Sequence, residues 1–367
     1  MTSILNRIGF NLHSRKAALS AISRSFSTFQ KPNYAFAFDI DGVLIKGKHH
    51  IPEATRALKL LNGDNIHNRN IPFVLLTNGG GVTEEEKARQ ISKLVGIKID
   101  PKQVVLSHSP MQNLATKYHD KRVLIVGGKG RNCYDVAKKY GFKEAVTPHD
   151  IMHWNSSVWP YSTPTSDLSI LTSTAALNFP KLPIHAVMVF HDTYDWGRDL
   201  QIMLDVLCSQ GGIMGTRKPD YTIQDVPLYW SNVNLSSHLN TDFPAPRLGQ
   251  GAFKIALDSL YKTLTGSDLK STSFGKPHGA TYQFAEQVLE LLEPQSQSSR
   301  RRVYAVGDNP AADIQGANGY GWTSVLVRTG VFTGKGNSDD FPADIVCENV
   351  EEAVLNIIDK EETHSNE

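Results

Sequence analysis

The 367-residue sequence has little cysteine, no long apolar run and no excess of either charge. Its three cysteines, Cys133, Cys208 and Cys347, are far apart and form no CxxC pair. That excludes a zinc knuckle and a disulfide framework, and leaves buried free thiols in a reducing compartment as the plain reading. No run reaches the length of about 18 apolar residues that a membrane-spanning helix needs, so no span is expected. With 38 Lys and Arg against 37 Asp and Glu, the formal net charge is +1, too little to draw a nucleic acid as partner. The histidines include the neighbours His49 and His50 but no HExxH zinc motif.

One absence is local. Residues 1–38 contain no Asp or Glu, and Asp39 is the first acid. Arg7, Arg15, Lys16 and Arg24 alternate there with serines and with Ile4, Leu5, Ile8, Phe10 and Leu12. A cationic amphipathic segment without acids reads as a mitochondrial presequence, drawn inward by the membrane potential. Residues 1–30 are expected to be that leader, cleaved after Phe26 within Arg24-Ser25-Phe26-Ser27, with the mature protein in the matrix.

What is present is an alternation of short apolar runs and helical patterns over a chain of 40% hydrophobic residues. Strands are expected at Tyr34–Phe38, Pro72–Leu76, Val104–Leu106, Arg122–Val126, Ala186–Phe190, Leu228–Trp230, Val303–Val306 and Thr323–Val327, the last clear one. Helices are expected from Pro52, with Ala54, Ala57, Leu58 and Leu61 as the apolar face, and over Glu84–Val95, with Thr83 and Glu86 as a capping box. Further helices are expected near Tyr134–Tyr140 and over Leu200–Ser209, Gly251–Thr265 and Tyr282–Leu292. Asn155–Thr174 reads as a surface loop, and residues 356–367 as a frayed acidic tail. Strands alternating with helices imply α/β architecture, a doubly wound parallel sheet that binds ligands beyond the carboxyl ends of its strands.

Four groups of residues follow strand ends or loops. Asp39-Ile40-Asp41-Gly42 sets two carboxylates around a turn that Gly42 permits. A hairpin turn would use the same pair, but a calcium loop would not, because Leu44 stands where its glycine belongs. Thr77-Asn78-Gly79-Gly80-Gly81 offers a hydroxyl and backbone N–H groups to a phosphate, or is a plain turn. Gly275-Lys276-Pro277 offers an ammonium. Gly307-Asp308-Asn309 with Asp313 offers carboxylates to Mg²⁺ or a cap to a helix near Pro310.

Taken singly each group is modest, but their order resembles the haloacid dehalogenase (HAD) superfamily of hydrolases over residues 34–333. Only 38 residues separate Asp39 from Thr77, while 199 separate Thr77 from Lys276. An insertion at that place is similar to the C2-type cap of class IIA. Within that class the sequence most resembles mitochondrial hydrolases of the cat-eye-syndrome critical-region protein 5 type. The resemblance implies core segments over 33–118 and 247–355, with the cap over 119–246. It implies a phosphatase of small phosphorylated metabolites, with Asp39 as nucleophile, Asp41 as acid and base, and Thr77 and Lys276 holding the phosphoryl group. Asn78, Gly79, Asn232 and Gly251 would bind substrate. Asp39, the Asp41 carbonyl, Asp308 and Asp313 would hold Mg²⁺, and two copies would pair through their caps.

Two stretches depart from the family pattern. Glycines replace the polar residue that usually follows Asn78, and Ser231-Asn232-Val233-Asn234 lacks the acid common in that cap segment, ahead of the matching turn Gly249-Gln250-Gly251. The glycines would loosen the loop while still offering backbone N–H groups, and the changed cap stretch bears on substrate choice. Tyr194, Trp196 and Trp230 read as cap core. A catalytically weak scaffold and a phosphatase of glycerophospholipid precursors are the competing readings. A true dehalogenase would not need Asp41.

Overall fold

In the computed structural model, which describes residues 32–172, 178–237, 245–295 and 300–364, the chain forms two parallel sheets; the expected leader lies outside the described residues. Strand β1 (Tyr34–Phe38) is buried along its whole length, as a central parallel strand covered on both faces must be. Helix α1 (Pro52–Leu61) opens on its proline and buries Ala54, Ala57, Leu58 and Leu61. After β2 (Phe73–Leu76) comes α2 (Glu84–Val95), capped by Thr83, whose hydroxyl accepts from the Glu86 N–H. The Glu86 carboxylate turns instead to Arg89 and Gln90, so only half of the expected capping box is built. Strand β3 (Val104–Val105) completes this run.

The chain then enters the second sheet through β4 (Val123–Val126), α3 (Asn132–Lys139), β5 (Ala145–Val146), β6 (Ala186–Val189), α4 (Trp196–Leu207) and β7 (Leu228–Trp230). The segment 155–172 runs as mostly exposed turns and short 3₁₀ pieces. The expected return to the first core at 247 comes too early. Phe253, Leu257 and Tyr261 of α5 (Gln250–Thr265) pack among the second sheet's apolar residues, and β8 (Thr272–Ser273) pairs with β7. The second unit therefore runs on to 273.

Helix α6 (Gly279–Leu292), β9 (Arg302–Gly307), α7 (Gln315–Tyr320) and β10 (Thr323–Val327) rebuild the first sheet. Strand β11 (Ile345–Cys347), beyond the last expected one, adds its edge. Residues 356–364 are not a frayed tail. They belong to α8 (Val350–His364), which buries Ile357 and Ile358 and sets Glu362 against Arg69 at 2.8 Å and the Tyr34 hydroxyl.

The first sheet has the order β11-β10-β9-β1-β2-β3 and the second β8-β7-β6-β4-β5. Strand order reverses between β1 and β9 in the first and between β4 and β6 in the second. These reversals open crevices beyond the strand ends, where open α/β sheets bind ligands.

Candidate active site

The first crevice gathers the motif residues. β1 is held between β9 and β2, and its pairing continues through the Asp39 N–H to the Val306 carbonyl at 2.9 Å. Asp39 thus leaves the sheet beside Asp308, which follows β9. Gly42 turns the chain at φ +89°, and a Cβ on it would overlap the Asp308 carboxylate. Gly330 presses on the same carboxylate, and the Val331 N–H donates to it at 2.6 Å. Asp313 comes from a wide turn over Pro310–Ile314, where a regular helix was expected. The Asn309 carboxamide caps that turn, and the Asn309 N–H donates to Asp313 at 3.0 Å.

Oxygens of Asp39, Asp308 and Asp313 lie within 4.8 Å of one another. Lys276 Nζ is 2.7 Å from Asp39 and 2.6 Å from Asp313. Burial pushes Asp308 up to about 8, with Asp39 and Asp313 adding repulsion. Burial also lifts Asp313 to about 6 and raises Asp39, although Lys276 opposes both shifts. Burial alone would pull the Lys276 ammonium down, but Asp313 and Asp39 hold it well above its usual range. One cation against three buried carboxylates leaves a deficit of positive charge. Converging hard oxygen donors with such a deficit fit a magnesium-sized ion. The Asp41 side chain, half-buried in the turn, is not part of this trio.

Thr77 follows β2 and is buried, its hydroxyl accepting from the Gly79 N–H at 2.9 Å. The hydroxyl proton is left to donate, but the Gly79 N–H is spent and does not face an anion as expected. Asn78 also departs from the expectation. Its carboxamide accepts from the Lys276 N–H at 2.7 Å and donates to the Lys276 carbonyl at 2.8 Å, so it clamps the lysine loop. Asn232 does not point to substrate either. It donates to the Asn78 carbonyl at 3.3 Å and accepts from the Asn234 N–H at 2.8 Å. Gly251 is needed for closeness, since a Cβ would overlap the Val233 carbonyl. The altered Ser231–Asn234 stretch is thus a strap that ties the second unit to the Thr77 and Lys276 loops.

The glycines after Asn78 have a steric reason. A Cβ on Gly80 would crowd Ser107 and His108, and one on Gly81, at φ +77°, would overlap the His191 ring from the second unit. A second set of cross-links lies beside them. Glu84 takes the Tyr140 hydroxyl at 2.5 Å, Ser109 at 2.8 Å and Lys139 at 2.9 Å, while His108 Nδ1 meets the Tyr140 hydroxyl at 2.8 Å. Sequence reasoning missed His108, Tyr140 and His191, which carry no motif; the run of glycines was the one signal that something packs there. Trp230 is buried as expected and Trp196 packs against Phe253, but Tyr194 is exposed and is not core.

A buried carboxylate cluster with one lysine, at the switch point of a parallel sheet that carries a large α/β insertion, defines a hydrolase of the haloacid dehalogenase type. Two family models agree, one described as haloacid dehalogenase-like hydrolase over residues 36–143 and one as HAD-hydrolase-like over 273–353. A mitochondrial hydrolase of Saccharomyces cerevisiae is 35% identical over 92% of this chain and 98% of its own length. The chain belongs to this family of HAD-like hydrolases. A cardiolipin synthase (CMP-forming)/mitochondrial hydrolase fusion protein of Schizosaccharomyces pombe is 37% identical over 96% of this chain, which spans 58% of that relative. The fold matches a p-nitrophenyl phosphatase of Archaeoglobus fulgidus, with TM-score 0.58, 16% identity and coverage of 89% and 99% of the two chains. It also matches a hypothetical protein of Pyrococcus horikoshii, with TM-score 0.60, 19% identity and coverage of 88% and 99%.

Proposed function

We propose that the protein is a Mg²⁺-dependent phosphatase of small phosphorylated metabolites that works through an aspartyl phosphate. The observation that carries this reading is Asp39, held 2.7 Å from a buried lysine in a trio of carboxylates at one sheet's switch point. A carboxylate oxygen of Asp39 attacks phosphorus as the bond to the leaving oxygen breaks, and Asp41 gives that oxygen its proton. Asp41 then takes a proton from the water that attacks the acyl phosphate, so the Asp39–phosphorus bond breaks and inorganic phosphate leaves. Splitting the displacement between a nucleophile and an acid–base group lowers each barrier. Thr77 donates its free hydroxyl proton to a phosphoryl oxygen, and Lys276 gives the same group a fixed positive charge. Asp39, the Asp41 carbonyl, Asp308 and Asp313 would hold the ion. When bound, Mg²⁺ offsets the negative charge of carboxylates and phosphate that would otherwise repel each other.

The test is phosphate release by residues 27–367 from p-nitrophenyl phosphate and a panel of phosphorylated metabolites, with Mg²⁺, with chelator, and in Asp39→Asn. Turnover that survives both chelator and the substitution would sink the reading. The relatives' names support a mitochondrial location, for which the acid-free leader supplies the address; import into the matrix fails as a proposal if a leader-deleted fusion still reaches mitochondria. The fusion of one relative to a cardiolipin synthase favours a glycerophospholipid precursor as the phosphorylated substrate. Pairing through the second unit is proposed on the exposed Leu248, Ile255 and Leu264. Light scattering on Ile255→Glu would show monomers where the parent shows dimers.

A further inference from the structure

One buried group at the first crevice takes no part in the proposed chemistry. Tyr282, in the first turn of α6, lines that crevice together with Asp39, Lys276 and Asp313, and is 1% exposed. Its ring is fixed by neighbours, stacked on Tyr320 with centroids 5.7 Å apart and edge-on to Trp322 at 5.2 Å. Its hydroxyl has one proton to give, and that proton faces two backbone carbonyls, Ala312 at 3.3 Å and Asp313 at 3.2 Å.

Those carbonyls belong to the wide turn Pro310–Ile314, which carries Asp313. Turns of this width are rare within helices and gather at functional sites. Two glycines admit the contacts around it. A Cβ on Gly316 would overlap the Tyr282 hydroxyl, and one on Gly307 the Asp313 side chain. The segment that carries Tyr282 also carries Lys276, six residues earlier. Lys276 Nζ meets the Asp313 carboxylate at 2.6 Å, while Tyr282 meets the Asp313 carbonyl. Asp313 is therefore gripped at both its side chain and its backbone from one short stretch, 276–282.

We infer that Tyr282 is a positioning residue, whose hydroxyl sets the wide turn so that the Asp313 carboxylate is presented to the Mg²⁺ site. The inference rests on the phosphatase reading above and adds to it a residue that touches neither phosphate nor ion. Mg²⁺ demands near-ideal octahedral geometry, so a carboxylate on a turn free to relax is a poorer ligand. Groups that orient a ligand in this way are typically worth about 10–100-fold in metal affinity. If Tyr282 only filled space, its hydroxyl would be dispensable, because a phenyl ring makes the same contacts with Tyr320 and Trp322.

Tyr282→Phe keeps the ring and removes only the hydroxyl. Calorimetric titration of the full chain with Mg²⁺ alone should show an affinity about tenfold weaker than in the parent. Phosphate release from p-nitrophenyl phosphate should fall at low Mg²⁺ and recover as Mg²⁺ is raised, with KM for the substrate unchanged at saturating Mg²⁺. Tyr320→Phe is the control. Its hydroxyl bonds Glu286 at 2.8 Å, within the same aromatic group, and its loss should leave Mg²⁺ affinity as it was. Should Tyr282→Phe not fold, Gly316→Ala attacks the same contact from the backbone side, and the same weakening is expected. Unchanged Mg²⁺ affinity in the folded variant, an equal loss in Tyr320→Phe, or a loss of turnover that Mg²⁺ does not restore would each overturn the inference and leave the phosphatase reading standing. A parent that binds no Mg²⁺ would overturn both.

Discussion

Both sheets reverse their strand order once, and the two crevices that result are furnished in opposite ways. At β1 and β9 three carboxylates meet one ammonium, and burial pushes Asp308 up to about 8 and Asp313 to about 6. At β4 and β6 a guanidinium already neutralised by Asp199 meets a neutral histidine, and burial pushes the Cys133 thiol up to about 12. The same topology has therefore been filled once with excess negative charge, which calls for a cation, and once with a guanidinium whose charge Asp199 already balances, with Asp195 at 4.0 Å. Topology fixes where a crevice opens; the side chains at the strand ends decide whether it calls for a ligand.

The sharpest break of this comparison is at Lys276. Lys276→Met should lower kcat/KM by about 10³-fold, because the transferring phosphoryl group loses its only fixed cation among these residues. In chelator the same variant should melt lower at pH 8 than at pH 6, since three buried carboxylates then repel one another without relief. The corresponding Arg198→Gln change, whose charge is already balanced by Asp199, should leave turnover on p-nitrophenyl phosphate nearly unchanged. Equal losses from both substitutions would mean that the two crevices are one functional site. Next in size is the contact between them. Gly81→Ala places a Cβ into the His191 ring at a positive φ, and should cost about 2–4 kcal/mol of stability. His191→Ala should recover part of that cost, read by urea melts of the double mutant, while the φ strain remains.

His108 tests the junction by pH. It is buried and pushed down to about 4 from an ordinary 6.5, mainly by burial. Between those values the unfolded chain binds a proton that the folded one refuses. Stability is unaffected above about 6.5, falls as pH drops below it, and by pH 4 has lost up to about 3 kcal/mol. Asp308 and Asp313, both raised, shift stability the opposite way over this range, so urea melts at pH 7.5 and 5 should show the parent losing more, or gaining less, than His108→Gln.

How far the site was legible follows from what kind of contact each part makes. Asp39, Thr77, Lys276, Asp308 and Asp313 stand at strand ends or loops with chemistry-bearing neighbours, so order and spacing brought them together on paper as they are in space. β1 was legible because a strand buried on both faces leaves an unbroken apolar run, and β10 because its last three residues, Val325–Val327, do the same. β11 was not, since its three residues lie at the sheet edge with two of them only half-buried. Residues 356–364 read as a tail because acids dominate there, yet Ile357 and Ile358 supply the apolar face and Glu362 finds Arg69. The return to the first core was set at 247 by the family resemblance, but what decides membership is the face of α5 that packs on the second sheet. Asn78 and Asn232 were read as substrate contacts. An amide with two donors and an acceptor serves a backbone clamp equally well, and only coordinates tell which.

That clamp gives the smallest expected effect and the finest test of how the two units cooperate. Asn78 holds both the N–H and the carbonyl of Lys276, while Asn232 holds the Asn78 carbonyl from the second unit. Removing the carboxamide in Asn78→Ala frees the lysine loop but deletes no group that touches phosphate. The expected loss is about tenfold, and it should fall on kcat rather than KM, because a loosened Lys276 still meets the ground state but not the transition state at the right distance. Asn232→Ala acts one hydrogen bond further out and should cost about threefold, roughly half a typical hydrogen bond's worth. If the strap works through Asn78, the second loss should vanish when Asn78 is already alanine. Steady-state kinetics on the two single variants and the double one measure this coupling. Simple additivity would mean that Asn232 meets substrate by itself, which would restore the role first expected of it from sequence.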